Sequence, residues 1–453
     1  MSNNLNAFFW AKSIAVVGAS AAVGKKGYEI LRNIIDAGYK EPIYPINPKA
    51  GELLGLKAYA SLADISKPVD LAVFTIPAAA LPGAMEQAGQ AGVKAAIVIT
   101  GGMGEAGNPE LEQQVLDTAA RFGIRVVGPN CQGIVYTPNS ICASWPLLTG
   151  QGKVAIISQS GTIGAAMAGW LIDEKIGVSG FISMGNKSDV DECDLLEYFA
   201  DDPDTAVIAL NVEGIKDGAR FIDVCSRTTA KEPIVVLKPG ISEKGKEAAA
   251  SHTKSVSGDA AVFTAVCRKA GIIQAFTTQD FIDFVKVLSL AQPISDPQTM
   301  IITSSGGSGI LAVDEADLSG IPVPDLTDDD IAALKDVLPG HCVIRNPLDL
   351  TGDADAQRYL DAIGALGDRP GALMLIYGDP IPEASSKTIE MSKITSQRII
   401  CCYIGGGDIQ IEETALLQQN GFPVFPTPER TIKAISALYK YGKIQAGKAV
   451  KEA

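Results

Sequence analysis

Short runs of β-branched and aliphatic residues alternate along this chain with alanine-rich stretches whose apolar positions recur every third or fourth residue. The runs at 13–17, 43–46, 71–76, 95–100 and 125–127 are dominated by Val, Ile, Ala and Leu. A strand apolar on both faces is buried on both faces, and helices between such strands imply parallel pairing. The rhythm pauses around residues 137–153, where Pro, Ser, Gly and Asn gather, and again at 292–298, which holds two prolines. Between the pauses it restarts with runs at 154–157, 178–183, 206–210 and 234–237; beyond them, with runs at 300–303, 372–376, 399–403 and 424–425. The pattern predicts an α/β protein of three domains, over 1–145, 150–292 and 298–453.

Two of these domains open alike. Residues 156–164 read Ile-Ile-Ser-Gln-Ser-Gly-Thr-Ile-Gly and residues 301–309 read Ile-Ile-Thr-Ser-Ser-Gly-Gly-Ser-Gly. Each is a strand, then a hydroxyl-x-Ser-Gly-x-x-Gly turn, then an apolar helix. The second and third domains therefore read as related, flavodoxin-like, doubly wound units with ligands at the carboxyl ends of their strands.

Composition narrows the function. With 453 residues, about 100–200 per domain, each domain has the length to bury a core. A formal charge of −14 argues against nucleic acid or an anionic membrane as partner, since both reward a basic surface. Eight cysteines occur without a CxxC pair or a Cys/His cluster, which fits a reduced cytoplasmic chain with no metal site. The N-terminus carries no basic-then-apolar leader, and no stretch reaches about 18 apolar residues, so a soluble protein is expected.

The first domain begins like a nucleotide site. The run at 13–17 enters Gly18-Ala19-Ser20-Ala21-Ala22-Val23-Gly24-Lys25-Lys26-Gly27 and then a helix. Such a turn lets backbone amides and the helix N-terminus approach a phosphate, in a Rossmann-like domain. It departs from the GxGxxG fingerprint: Ser20 stands at the second glycine, and Gly24 and Gly27 are set further along. Where an NAD site places an acidic residue after the next strand, this chain has Asn47-Pro48-Lys49. A lysine there attracts an additional phosphate, which fits the 3′-phosphate of coenzyme A or the 2′-phosphate of NADP; a solvated lysine beside a plain Rossmann turn is the alternative. Pro77, Thr100 and Asn130 end the next strands, on the face such a ligand would cross.

The second domain offers an anion site with little charge of its own. Ser158, Gln159, Ser160 and Gly161 bring hydroxyls and helix amides to one point, although Ser160 or Thr162 would serve equally as an N-cap. Downstream, in the small-residue loop Ala250-Ser251-His252-Thr253, stands one of the chain's two histidines. Imidazole titrates near neutrality and its nitrogen is nucleophilic, so a histidine among anion sites can accept and pass on a phosphoryl group. By itself His252 reads as a polar loop residue. Glu213, just past the run at 206–210, either orients that imidazole or is an exposed loop acid.

As a set these segments resemble the NDP-forming acyl-CoA synthetase family. The matching stretches are Val17-Gly18-Ala19-Ser20 with Gly24 and Gly27, Asn47-Pro48-Lys49, Gly128-Pro129-Asn130-Cys131-Gln132-Gly133, Ser158-Gln159-Ser160-Gly161, the run Ser183-Met184-Gly185-Asn186-Lys187-Ser188-Asp189-Val190-Asp191, Ser251-His252-Thr253, and residues 345–352. They span nearly the whole chain in family order, and the three-domain length is that of an α subunit of the ADP-forming branch. The resemblance implies coenzyme A in the first domain, at Gly18, Ser20, Gly24, Gly27, Asn47, Lys49, Pro77, Thr100 and Asn130. It implies a phosphoryl cradle at Ser158, Gln159, Ser160 and Gly161, a phosphohistidine at His252 and a supporting Glu213, with the acid between the first two domains near Asn130, Gly161 and Asn186. The activity implied is an ADP-forming ligation of a short carboxylic acid to coenzyme A through an acyl phosphate. An ATP-grasp β subunit would hold ATP or ADP with magnesium, since the chain shows no such module and no P-loop, and an α2β2 assembly is expected. A non-catalytic coenzyme A-binding regulator and an NADP-dependent oxidoreductase are the competing readings.

Overall fold

The computed structural model describes residues 5–146, 150–253 and 259–452, with the side chains of 249–253 and 448–452 outside that description. Packing divides the chain into two compact units, Met1–Gln274 and Ala275–Ala453.

The first unit holds two large sheets. One contains β1 (Ile14–Val17), β2 (Ile43–Ile46), β5 (Leu71–Phe74), β6 (Ala95–Val98) and β7 (Arg125–Val127), in the order β2-β1-β5-β6-β7 and parallel throughout. A ribbon of β3 (Glu52–Leu53) and β4 (Leu56–Lys57) hangs beside it. The other contains β8 (Gly133–Tyr136), β9 (Ile141–Ser144), β10 (Gln151–Ser158), β11 (Val178–Ser183), β12 (Val207–Asn211), β13 (Ile234–Leu237) and β14 (Ile273–Ala275), ordered β14-β13-β12-β10-β11-β8-β9. Its chain order from β10 onward is the doubly wound 2-1-3-4-5 pattern, with the switch point between β10 and β12. The second unit repeats that order with β15 (Thr299–Thr303), β16 (Leu348–Asp349), β17 (Ala372–Gly378), β18 (Arg398–Ile404) and β19 (Val424–Phe425), as β16-β15-β17-β18-β19.

Burial follows the apolar runs. Ile14, Val16, Leu71, Val73, Ile157, Leu210 and Val236 are fully covered, as two-sided apolar strands require. Ile14, Val73 and Ile97 of the first sheet share one apolar cluster with Ile134, Ile157 and Leu210 of the second. The two N-terminal sheets thus form a single body with a continuous core.

The sequence pause at 137–153 falls inside this body. Thr137–Asn139 is the turn of the β8–β9 hairpin, which pairs antiparallel with β11 and closes that edge of the second sheet. The helix Thr278–Leu290, which precedes the second pause, packs in the second unit against Pro428–Glu452. There Arg430 donates two hydrogen bonds, of 2.8 and 2.7 Å, to the buried Asp283 carboxylate, a bidentate pair that fixes the two helices. Among the described residues no helix is long and apolar enough to cross a membrane.

Candidate functional site

A cleft of about 780 Å³ opens at the β1/β5 switch point of the first sheet. Gly18, Ser20, Gly27, Asn47 and Lys49 line it, together with Lys25, Lys26 and Thr75. Asn47 ties its two sides: its Nδ2 donates to the Ala19 carbonyl at 2.8 Å, and its Oδ1 accepts from the Lys49 amide at 2.8 Å. The Lys49 side chain is left exposed at the rim. Gly27 has a steric reason to be glycine, because a Cβ there would stand 2.1 Å from the Gly18 carbonyl oxygen. Gly24, Pro77 and Thr100 do not line this cleft. The Gly24 amide donates to the Glu29 carboxylate at 3.0 Å, and the Thr100 hydroxyl to the Ile76 carbonyl at 2.6 Å.

A second cleft, of about 750 Å³, lies at the β10/β12 switch point, against the loops that follow β6 and β7. Gln159, Ser160, Gly161 and Thr162 form one wall, Glu213 to Lys216 another, and Asn130, Gln132 and Asn186 a third. Ser160 occupies the N-cap position of the helix Gly161–Asp173, yet its side chain makes no capping hydrogen bond. The first-turn amides of this helix are therefore open to an anion, favoured by the helix dipole. Ser158 does not line the cleft: its hydroxyl is buried and bonds the Ser160 carbonyl at 2.6 Å and Asn211 Oδ1 at 3.1 Å. It shapes the turn from below.

Glu213 is 8% exposed, not a loop acid in solvent. Its amide donates to Gln159 Oε1 at 3.0 Å, which locks the β12 loop to the β10 loop. Its Oε2 is buried and has no hydrogen-bond partner among the described residues. A buried carboxylate oxygen without a donor costs several kcal/mol unless one arrives. Lys238 lies behind it, donating from Nζ to the Glu213 carbonyl at 3.0 Å. Burial pushes the Lys238 ammonium below its usual range, and the Glu213 charge opposes that shift.

Asn186 faces Asn130, whose Nδ2 reaches its Oδ1 at 3.4 Å. Asn186 is held from the other side, donating to Glu105 at 2.7 Å and to Glu112 at 2.9 Å. Glu105 is pulled below the usual carboxylate range by hydrogen bonds from Asn186 and the Gly102 amide, which outweigh its partial burial. Lys187, 4% exposed, pairs with Glu192 at 2.7 Å and also donates to the Gly214 carbonyl, pinning the β12 loop. Lys26 lines both clefts and lies 5.8 Å from the Trp145 ring centroid.

His252 belongs to the last turn of a helix, Glu243–Thr253, and not to a loop. Ser242 starts this helix, its Oγ accepting from the Gly245 amide at 3.1 Å. Ala248, Ala249 and Ala250, the strongest helix formers, carry it forward. The His252 side chain lies outside the described residues. The structure brings together Gln159, Ser160, Gly161, Glu213 and Asn130 in one cleft, and Gly18, Ser20, Gly27, Asn47 and Lys49 in the other. Lys26, Lys187 and Gln132 stand in the motif stretches quoted above without a role of their own, and Lys238 and the Glu105–Glu112 pair carried no sequence signal as site residues. Lys26 was legible, since it sits in the first turn of the glycine-rich loop's helix; the others needed tertiary contacts. Among the described residues no cluster of His, Cys, Asp or Glu is arranged to hold a metal.

Comparison with known proteins follows the same division. The profile of a CoA binding domain matches residues 12–137, and that of a succinyl-CoA ligase-like flavodoxin domain matches residues 151–288. The chain is 40% identical to the α subunit of acetate–CoA ligase (ADP-forming) I of Pyrococcus furiosus, over 98% of this chain and 99% of that one. It is 38% identical to the acetate–CoA ligase (ADP-forming) of Methanocaldococcus jannaschii, over 95% of this chain and 62% of that longer protein. Among solved structures, the dinucleotide-forming acetyl-coenzyme A synthetase 1 of Candidatus Korarchaeum cryptofilum, in complex with phosphate and ADP, superposes with a TM-score of 0.93 at 36% identity, covering 100% and 99% of the two chains.

Proposed function

The chain belongs to the family of ADP-forming acetate–CoA ligase α subunits, and from that premise we propose that it joins a short carboxylic acid to coenzyme A together with an ATP-grasp partner subunit. The observation that carries the reading is the pair of clefts sharing Lys26. Coenzyme A, with its 3′-phosphate toward Lys49 and its diphosphate on the Gly18–Gly27 turn, extends its thiol arm past Lys26 into the second cleft. There the helix amides of Gly161 and Thr162 hold phosphate.

In the thioester-consuming direction, a phosphate oxygen attacks the acyl carbon, the thiolate of coenzyme A leaves, and an acyl phosphate forms. A ring nitrogen of His252 then attacks phosphorus, the acid leaves as carboxylate, and the phosphoryl group passes to ADP on the partner. The reverse sequence makes the thioester from acid, coenzyme A and ATP. Uncapped helix amides supply the positioning and charge stabilisation that phosphoryl transfer needs. The unpartnered Glu213 oxygen accepts from the other ring nitrogen, which fixes the tautomer and supports the phosphorylated ring. The partner binds the nucleotide with its magnesium; an α2β2 assembly working in the cytoplasm completes the proposal.

The test is phosphoryl transfer from labelled ATP to this chain, mixed with its ATP-grasp partner. The unaltered chain takes up label on histidine and His252→Ala takes up none. Labelling of the alanine variant overturns the relay. A chain that binds coenzyme A but gives no turnover with the partner is a regulator instead.

A further inference from the structure

Gln132 is a polar side chain with an unmet hydrogen bond, buried at the wall of the second cleft. It is 8% exposed, and its Oε1 has no partner among the described residues. Its backbone amide is tied to Ser183 Oγ at 2.9 Å, and its Nε2 makes one long contact, 3.5 Å, with Thr162 Oγ1. The side chain lies directly on the phosphate helix: a Cβ on Gly161 would stand 2.5 Å from Gln132 Cγ and 2.8 Å from Cδ. Glycine at 161 therefore makes room for this carboxamide.

We propose that Gln132 hydrogen-bonds the acid in the second cleft, a role that rests on the ligase reading above. A buried amide atom without a partner costs about 1–3 kcal/mol, so an apolar side chain would be preferred here unless a ligand completes it. The ligand group is located by the neighbours. With the phosphate end of an acyl phosphate on Gly161 and Thr162, as proposed above, Gln132, which touches both residues and lines the same cleft, is within reach of the adjoining acyl end. A carboxamide offers a donor and an acceptor at its two ends, so it pairs with a polar group and not with an alkyl tail. Two parts of the acid carry such a group: the acyl oxygen common to all acids, and a hydroxyl on the tail of some. With the acyl oxygen as partner every acid is held alike; with the tail hydroxyl as partner discrimination is large, because a site built to hydrogen-bond a substrate group rejects the analogue that lacks it.

The test uses the full chain with its partner subunit. Initial rates are measured for acetate, propionate, glycolate and 3-hydroxypropionate, with the unaltered chain, Gln132→Leu and Gln132→Glu. The expected result for Gln132→Leu is a fall in kcat/KM for acid of about 10- to 100-fold, corresponding to ~1.5–3 kcal/mol, with KM for coenzyme A and histidine labelling by ATP unchanged. Gln132→Glu retains the size and adds a charge that repels the carboxylate, so it loses acid turnover while still being labelled. An equal loss on all four acids identifies the acyl oxygen as the partner; a loss confined to the hydroxy acids identifies the tail hydroxyl. Less than a twofold change on every acid overturns the proposal. So does a loss of acid turnover, coenzyme A affinity and labelling together, which marks a structural role. Absence of acid-dependent turnover by the unaltered chain sinks the ligase reading and this inference with it.

Discussion

Gly27→Ala probes the first cleft through backbone geometry alone. The added Cβ would lie 2.1 Å from the Gly18 carbonyl oxygen, 2.9 Å from its carbon and 3.0 Å from Thr75 Oγ1. Heavy atoms at ease sit roughly 3.5 Å apart, so the helix Lys26–Asp36 must retreat from the β1 turn by about 1 Å. No rotamer relieves the clash, because the nearest atoms are main chain. Overpacking of this kind costs about 1–3 kcal/mol. Loss of the Thr75 hydroxyl's contacts with the Val17 and Gly18 carbonyls, at 3.1 and 3.2 Å, adds about 1 kcal/mol. Alanine in a helix returns about 1 kcal/mol. The net expectation is a destabilisation of ~1–3 kcal/mol, seen as a melting temperature several degrees lower. Because the displaced helix carries Lys26 and borders the cleft proposed for coenzyme A, the Kd for coenzyme A is expected to rise about tenfold or more, read by calorimetric titration. Gly169→Ala is the control, since its Cβ meets nothing within 4 Å. It should leave coenzyme A affinity unchanged and gain up to about 1 kcal/mol. If the two variants behave alike in melting and in titration, the close approach of helix and turn is not what builds this cleft.

Three other outcomes are expected. Lys49→Ala weakens coenzyme A by about tenfold but dephospho-coenzyme A hardly at all, and equal losses in paired titrations would remove Lys49 from the 3′-phosphate. Glu213→Gln keeps the shape of the buried side chain while removing its charge, so the rate of histidine labelling by ATP and the partner falls about 10- to 100-fold; labelling at the unaltered rate refutes the support role. The third is a pH effect at Glu232, half-buried, whose carboxyl burial raises from 4.5 to about 7 against the attraction of Lys153. Between these values the folded state holds a proton that the unfolded state has released, so stability falls as pH rises through the window. Glu232→Gln should match the parent near pH 4.5 and exceed it by ~1 kcal/mol above pH 7, a figure reduced for solvent screening. Melting curves that stay parallel across the range would contradict this.

The periodicity of apolar residues by itself decided the α/β class and the position of nearly every central strand, because a strand covered on both faces has almost no freedom in composition. It also marked the two strand-to-helix turns that line the clefts, where glycine allows a close approach and, in the second, Ser160 stands at the helix start. What it missed is non-local. The β8–β9 hairpin reads as a break, because Pro138 and Asn139 form a turn whose strands exist only by pairing with β11. His252 reads as loop from its small neighbours, yet those alanines propagate a helix started by Ser242. Local sequence placed Ser158 and Ser160 together in the cradle, whereas folding turned one hydroxyl inward and left the other residue's helix uncapped. Glu213 and Gln132 became notable only when burial removed their access to water, and burial is set by the sum of contacts from distant segments. Motif order along the chain was enough to propose a chemistry; only the meeting of β10, β12 and the loops after β6 and β7 decided which side chains line the cleft where it would occur.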